Sequence, residues 1–228
     1  MTAFVLIPGA GGNASYWREL VGELEGRGHE AIAVDIAQDD PALGLPQYAD
    51  LVEAAIGDRS DVVLVAQSLG GFTAPVVATR TSVRMIVLLC AMIPLPGESP
   101  GEWWDATGSG PARRAADEAA GRDPEFDLER HFLHDLPDDV RTQMERDPQP
   151  RPTADTIWSQ PCDIERWPDV TTRVIAGRDD RFFPLEFQQR VSRERLGLEP
   201  DVLPGGHLLA KSRAAELADR LEEYVASA

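Results

Sequence analysis

Short, fully apolar runs alternate with helix-patterned stretches from the start of this chain, which is the signature of βαβ units carrying a parallel sheet buried on both faces. The first run is Phe4-Val5-Leu6-Ile7. It breaks at Pro8-Gly9-Ala10-Gly11-Gly12, after which apolar positions at Trp17, Leu20, Val21 and Leu24 recur with helical spacing as far as Gly26 and Gly28. Residues 31–36 form a second run, residues 47–57 a second helix, Val62-Val63-Leu64-Val65-Ala66 a third run, residues 69–79 a third helix and residues 83–90 a fourth run. The rhythm stops between residues 94 and 168, where prolines, tryptophans and charges accumulate and only 128–133 and 138–146 look helical. It resumes with Arg173-Val174-Ile175-Ala176, a helix over 184–196, a short strand over 200–203 and a closing helix over 208–224.

These elements predict an α/β fold in three layers, with about six mostly parallel strands, helices on both faces, and residues 94–168 inserted as a cap. At 228 residues, 43% hydrophobic and 27% charged, the chain fits a single domain over 1–228. Its 39 acidic against 22 basic side chains give a formal charge of −17. That charge repels phosphate backbones and anionic lipid headgroups, so neither nucleic acid nor a membrane surface is an expected partner. The longest apolar run, Met85 to Ile93, is about half of the roughly 20 residues a membrane span needs. Pro8 and Gly9 interrupt the leading apolar stretch too early for a signal peptide, and a cytoplasmic location is expected. Two cysteines make no disulfide framework, and Cys90 reads as a small core residue. Lys211, the only lysine, carries no assigned function.

Ligands of open parallel sheets bind outside the carboxyl ends of the strands, so the residues that follow each strand carry the most information. After the third stands Ala66-Gln67-Ser68-Leu69-Gly70-Gly71, a small-x-Ser-x-Gly pattern. In a nucleophile elbow such a pattern turns sharply from strand to helix, pushes the serine hydroxyl clear, and leaves the next N–H facing the reacting oxygen. Taken alone, the same residues also suit a serine capping a helix. After the fifth strand comes Gly177-Arg178-Asp179-Asp180-Arg181-Phe182-Phe183-Pro184, and after the sixth Gly205-Gly206-His207. A serine needs an imidazole base, and the imidazole needs a carboxylate to fix its tautomer and stabilise its cation. The chain order Ser68, Asp180, His207 supplies all three, although Asp179 competes with Asp180 on physical grounds alone. The amides of Leu69 and Ala10 are the candidate oxyanion donors.

Over nearly its whole length the chain resembles the α/β-hydrolase superfamily. Val5-Leu6-Ile7-Pro8-Gly9-Ala10 with Trp17, and Gly177 to Pro184 running on into Glu186-Phe187-Gln188, resemble the branch of plant methylesterases, hydroxynitrile lyases and their bacterial relatives. The resemblance implies a serine esterase acting on a small-molecule ester, with an inserted cap, no metal and no diffusible cofactor, and it favours Asp180 as the acid. Two departures stand out: Pro8 where most members carry histidine, and Ala66 in place of the first elbow glycine. The lyases of that branch carry threonine and lysine where this chain has Gly9 and Arg181, which favours hydrolysis over a C–C lyase reaction.

Three rival readings come from other classes, one of them a binding module on a hydrolase scaffold whose triad is vestigial or serves slow ligand capture. Gly9-Ala10-Gly11-Gly12-Asn13-Ala14 matches G-x-G-x-x-[GA] after a strand, with Asp35 at the end of the next, as in a dinucleotide-binding protein. Tyr16 and Trp17 put bulk where a pyrophosphate would approach, and the match leaves the serine and histidine loops unexplained. His131 and His134, one helical turn apart beside Asp135, are a possible metal pair lacking a third partner, and His29 is expected to face solvent. Trp103, Trp104, Phe132, Trp158 and Phe183 either wall a pocket or fasten the insertion to the body.

Overall fold

The structure, a computed structural model, describes residues 1–227. In chain order it runs β1 (Ala3–Ile7), α1 (Arg18–Gly26), β2 (Glu30–Ala33), α2 (Leu45–Ile56), β3 (Val62–Gln67), α3 (Thr73–Arg80) and β4 (Met85–Leu89). Among the described residues, four α-helices then precede the next strand, α4 (Pro100–Thr107), α5 (Ser109–Ala119), α6 (Asp138–Met144) and α7 (Asp155–Trp158), with a short π-helix at Glu129–Leu133 between α5 and α6. The chain ends with β5 (Thr171–Gly177), α8 (Leu185–Leu196), β6 (Asp201–Leu203), α9 (Leu209–Ser212) and α10 (Ala214–Ser227).

Among the described residues the six strands form one sheet in the order β2-β1-β3-β4-β5-β6, and every pairing is parallel. Alternation of side chains along each strand splits the core into two layers. Phe4 and Leu6 of β1, Val63 and Val65 of β3, and Met85, Val87 and Leu89 of β4 pack with α1, α9 and α10 through Leu20, Leu24, Leu209, Leu217 and Leu221. Val5, Ile7, Leu64, Ala66, Ile86 and Leu88 face the other way, onto Tyr48, Val52 and Ile56 of α2, Val77 of α3, and Phe187 and Val191 of α8. Both faces of the central strands are covered, which is why β1, β3 and β4 are apolar at nearly every position.

β1 and β3 are adjacent, yet β1 leads outward to β2 on one side and β3 to β4 on the other. That reversal makes the crevice between their carboxyl ends the natural ligand site of such a sheet. The register places Ile7 beside Ala66 and Gln67 beside Leu89, so the loops after β1, β3 and β4 emerge at one level.

Several boundaries differ from the sequence expectation. The second strand stops at Ala33, because the chain leaves the edge to bond the loop after β1: Ile36 N–H donates to Gly12 O at 2.8 Å. The closing helix is two, parted at Arg213, whose φ of −141° is not helical. His29 does not face solvent freely: its ring packs edge-on against Phe4 and its Nε2 lies 3.3 Å from Glu222.

Glycine is required where the backbones crowd. A Cβ on Gly71 would stand 1.9 Å from Met92 O, whereas one on Gly22 in α1 would meet nothing within 4 Å. Gly71→Ala is therefore expected to cost about 3 kcal/mol or more, and Gly22→Ala to stabilise by about 0.5–1 kcal/mol, both read from urea denaturation midpoints.

Candidate active site

Ser68 stands at the end of β3 with φ of +50°, in the left-handed region that L residues avoid. The following residues, Ser68–Phe72, wind into a tight 3-10 turn before α3 begins. This geometry exists only because the neighbours are small. A Cβ on Gly70 would lie 2.8 Å from Pro8 O and 2.9 Å from Ile7 O, and one on Gly9 would lie 2.9 Å from the Ser68 Cβ. Ser68 is thus buried to 8% exposure yet lines a cavity, where it shares the wall with His207.

His207 and Asp180 are brought together from the loops after β6 and β5. Asp180 Oδ2 accepts a hydrogen bond from His207 Nδ1 at 2.8 Å, and both side chains are fully buried. Asp180 Oδ1 accepts the amides of Phe182 and Phe183 at 2.8 and 2.9 Å, and Gln188 Nε2 donates to Oδ2 at 3.3 Å. A buried carboxylate deprived of such donors would cost several kcal/mol. Asp179, which competes with it in sequence, faces outward: Arg178 beside it holds its carboxyl below the ordinary range, and Gly205 N–H donates to it at 3.0 Å.

With Nδ1 committed to a carboxylate, a neutral His207 presents the lone pair of Nε2, and that atom is buried without a protein partner. Phe132, Phe182 and Phe183 set their rings edge-on around the imidazole at centroid distances of 5.0, 5.1 and 5.1 Å. The neighbouring loop is latched from the segment between β4 and β5. Asp135 Oδ2 accepts Gly206 N–H at 2.7 Å, and His134 Nε2 donates to Asp179 O at 3.1 Å. Burial, with Arg181 alongside, holds the His134 imidazole below its ordinary value.

The loop after β1 passes over Ser68. Gln38, buried in the loop after β2, grips it at two points: its Nε2 donates to Gly9 O at 3.0 Å and its Oε1 accepts Gly11 N–H at 2.8 Å. Thr153 Oγ1 donates to the same Oε1 at 3.2 Å. Ala10, between the two gripped residues, and Leu69, after Ser68, both line the cavity.

The cavity measures about 510 Å³ and is walled largely by Met92, Trp104, Phe132, Leu133, Trp158 and Phe182. Of the five aromatic residues singled out in sequence, Trp104, Phe132 and Trp158 line it, while Trp103 is wholly buried with its Nε1 donating to Ile93 O at 3.0 Å. Phe183 is buried against Trp103 and His207. Lys211 also reaches the cavity wall, its ammonium held by Ser15 O and Glu19 at 3.2 and 3.3 Å.

The other candidate constellations do not assemble. His131 turns into the segment between β4 and β5, where its Nε2 lies 2.9 Å from Asp117 Oδ2, while His134 faces Asp179. Cys90, Asp180 and His207 converge with ligand atoms within 4.8 Å of one another, but His207 Nδ1 and Asp180 Oδ2 are already bonded to each other. Asp35, which would hold a ribose in a dinucleotide site, accepts Ala14 N–H at 3.1 Å and pairs with Arg151 at 2.9 Å. Among the described residues no helix is long and apolar enough to cross a membrane.

Comparison with known proteins agrees with this architecture. The alpha/beta hydrolase family matches residues 4–220. Polyneuridine aldehyde esterase superposes with a TM-score of 0.78 at 20% identity, covering 99% of each chain. A methylesterase from Arabidopsis gives 0.76 at 19% identity and 100% of each chain. A pyrethroid hydrolase from Sphingobium faniae gives 0.76 at 20% identity, covering 98% of this chain and 96% of its own. No curated protein is significantly similar in sequence.

Burial also decides the behaviour of the two thiols. It pushes Cys162 up to about 12, and it raises Cys90 well above the ordinary thiol range, helped by the Asp180 carboxylate nearby. Neither should react with a disulfide reagent at neutral pH while the protein is folded, and both should react in denaturant, measured by the absorbance of the released thiolate.

Proposed function

The chain belongs to the alpha/beta hydrolase family, and on that premise we propose that it hydrolyses a small carboxylic ester through Ser68, His207 and Asp180. The observation that carries this reading is the state of His207. Its Nδ1 is fixed on Asp180, its Nε2 is free of protein partners, and it lines the same cavity as a serine held at positive φ. A general base needs that combination of a locked tautomer and an open lone pair.

Ser68 Oγ attacks the ester carbonyl while His207 Nε2 takes its proton. Asp180 stabilises the imidazolium that forms, and the amides of Ala10 and Leu69 bind the negative charge developing on the carbonyl oxygen. The tetrahedral intermediate collapses, His207 returns the proton to the leaving alcohol, and an acyl group remains on Ser68. Water, deprotonated by His207 in turn, releases the acid. No metal or diffusible cofactor enters these steps.

Residues 94–168 act as a cap in this reading, since they contribute Trp104, Phe132, Leu133 and Trp158 to the wall. These apolar walls suit an uncharged ester better than a carboxylate-bearing one. The two cations at the cavity are already paired, Arg141 with Glu129 and Lys211 with Glu19. The names of the structural neighbours, two esterases and a pyrethroid hydrolase, support the same reaction class.

Intact-mass measurement after treatment with a fluorophosphonate probe tests the assignment. A single adduct is expected on the wild-type chain and none on Ser68→Ala or His207→Ala. On a p-nitrophenyl ester those variants should lose about 10⁴–10⁶-fold in turnover. Asp180→Asn should lose somewhat less, and Asp179→Asn should stay within a few-fold of wild type. An adduct that persists in Ser68→Ala would overturn the choice of nucleophile, and full activity in Asp180→Asn the choice of acid.

A further inference from the structure

The two hydrogen bonds from Gln38 bracket Ala10 in an informative way. Gly9 O belongs to the same planar peptide unit as Ala10 N–H, and Gly11 N–H belongs to the next one. In a trans peptide the C=O and N–H point in opposite directions, so holding Gly9 O toward Gln38 turns Ala10 N–H away from it. Ala10 and Ser68 lie together on the cavity wall. The second bond, to Gly11 N–H, prevents the plane on the other side of the Ala10 Cα from rotating to compensate.

The loop needs such a brace. Its residues carry little intrinsic preference, since Gly11 and Gly12 sit at φ of +100° and +62° and Gly9 has no side chain to limit it. Gly12 N–H also reaches Gly9 O, at 3.2 Å, but this bond lies within the loop and moves with it. Gln38 comes from outside and is itself immobile. It is 1% exposed, its backbone carbonyl accepts Ala154 N–H at 2.7 Å, and Thr153 Oγ1 donates to its Oε1. The Arg151 side chain fastens the neighbouring carbonyl, Ile36 O, at 3.2 Å.

We propose that Gln38 is a positioning residue for the oxyanion site: its carboxamide fixes the direction of the Ala10 N–H from the loop after β2. Donation to Gly9 O also polarises that peptide unit and makes its N–H a stronger donor. The proposal rests on the esterase reading given above, and it assigns Gln38 no contact with substrate. A donor that serves the transition state more than the bound ester should affect kcat and leave KM nearly unchanged.

Two variants test it. Gln38→Met keeps the bulk and loses both bonds, whereas Gln38→Glu keeps an acceptor for Gly11 N–H and puts a carboxylate oxygen against Gly9 O. Each should lower kcat on a p-nitrophenyl ester by roughly 10–100-fold, with KM within about threefold. Affinity for an alkylboronic acid, which mimics the tetrahedral intermediate, should fall in proportion to kcat/KM. Affinity for an apolar alcohol that merely occupies the cavity should not change. A folded Gln38→Met with wild-type kcat would overturn the proposal, and so would parallel losses in boronate and alcohol binding, which mark general damage to the site. Should Gln38→Met fail to melt cooperatively, Gln38→Glu decides by the same comparison. A wild-type chain that neither turns over esters nor takes the fluorophosphonate would sink the esterase reading instead, a result separate from any change between the variants and wild type.

Discussion

Everything at this site depends on how closely three stretches of chain approach at the ends of β1, β3 and β4. Gly70 sits against the carbonyls of Ile7 and Pro8, Gly71 against that of Met92, and Gly9 against Gln67 and Ser68. A methyl group at any of these positions would push the loops apart. The same crowding holds Ser68 at a positive φ, a conformation that costs of order 1–3 kcal/mol and persists only when its surroundings over-determine it. Those surroundings are the buried faces of β1, β3 and β4, whose apolar side chains fill both layers of the core.

A second constraint is the burial of Asp180. A fully buried carboxylate must be supplied with donors, and the chain supplies them from its own next turn, in the amides of Phe182 and Phe183, and from Gln188 in the following helix. The imidazole of His207 completes the set. Two of these four donors are backbone amides of the adjoining turn, so the place of Asp180 is in part a property of the loop itself. Phe182 and Phe183, whose amides hold it, also stand edge-on to the imidazole.

The strands, and the places of Ser68, Asp180 and His207 just past strand ends, could be read from sequence because each leaves a local trace. A strand covered on both faces is apolar throughout, and the three polar residues each follow a strand end. Where the trace is absent, the reading falls short. Helix α5 presents mostly alanine, arginine and acidic residues, so hydrophobic periodicity is silent, and Asp117 instead holds the segment by pairing with Arg113, Arg122 and His131. Helix α4 did carry a signal, Ser99 and Glu102 in a reciprocal cap with Pro100 between them, which periodicity alone passes over. Gln38 and Asp135 act on loops far away in sequence, and no pattern within their own segments marks a glutamine or an aspartate for that task.

Residues 134 and 135 also bear on how such a scaffold can be re-engineered. They belong to the stretch between β4 and β5 that shapes the cavity, yet their side chains hold the loops carrying Asp180 and His207. The stretch is therefore not a cassette independent of the loops beneath it. A chimera that exchanges residues 94–168 wholesale to alter substrate preference would discard both latches along with the old walls. Retaining the His134-Asp135 pair and replacing only the residues facing the cavity is the exchange the architecture permits.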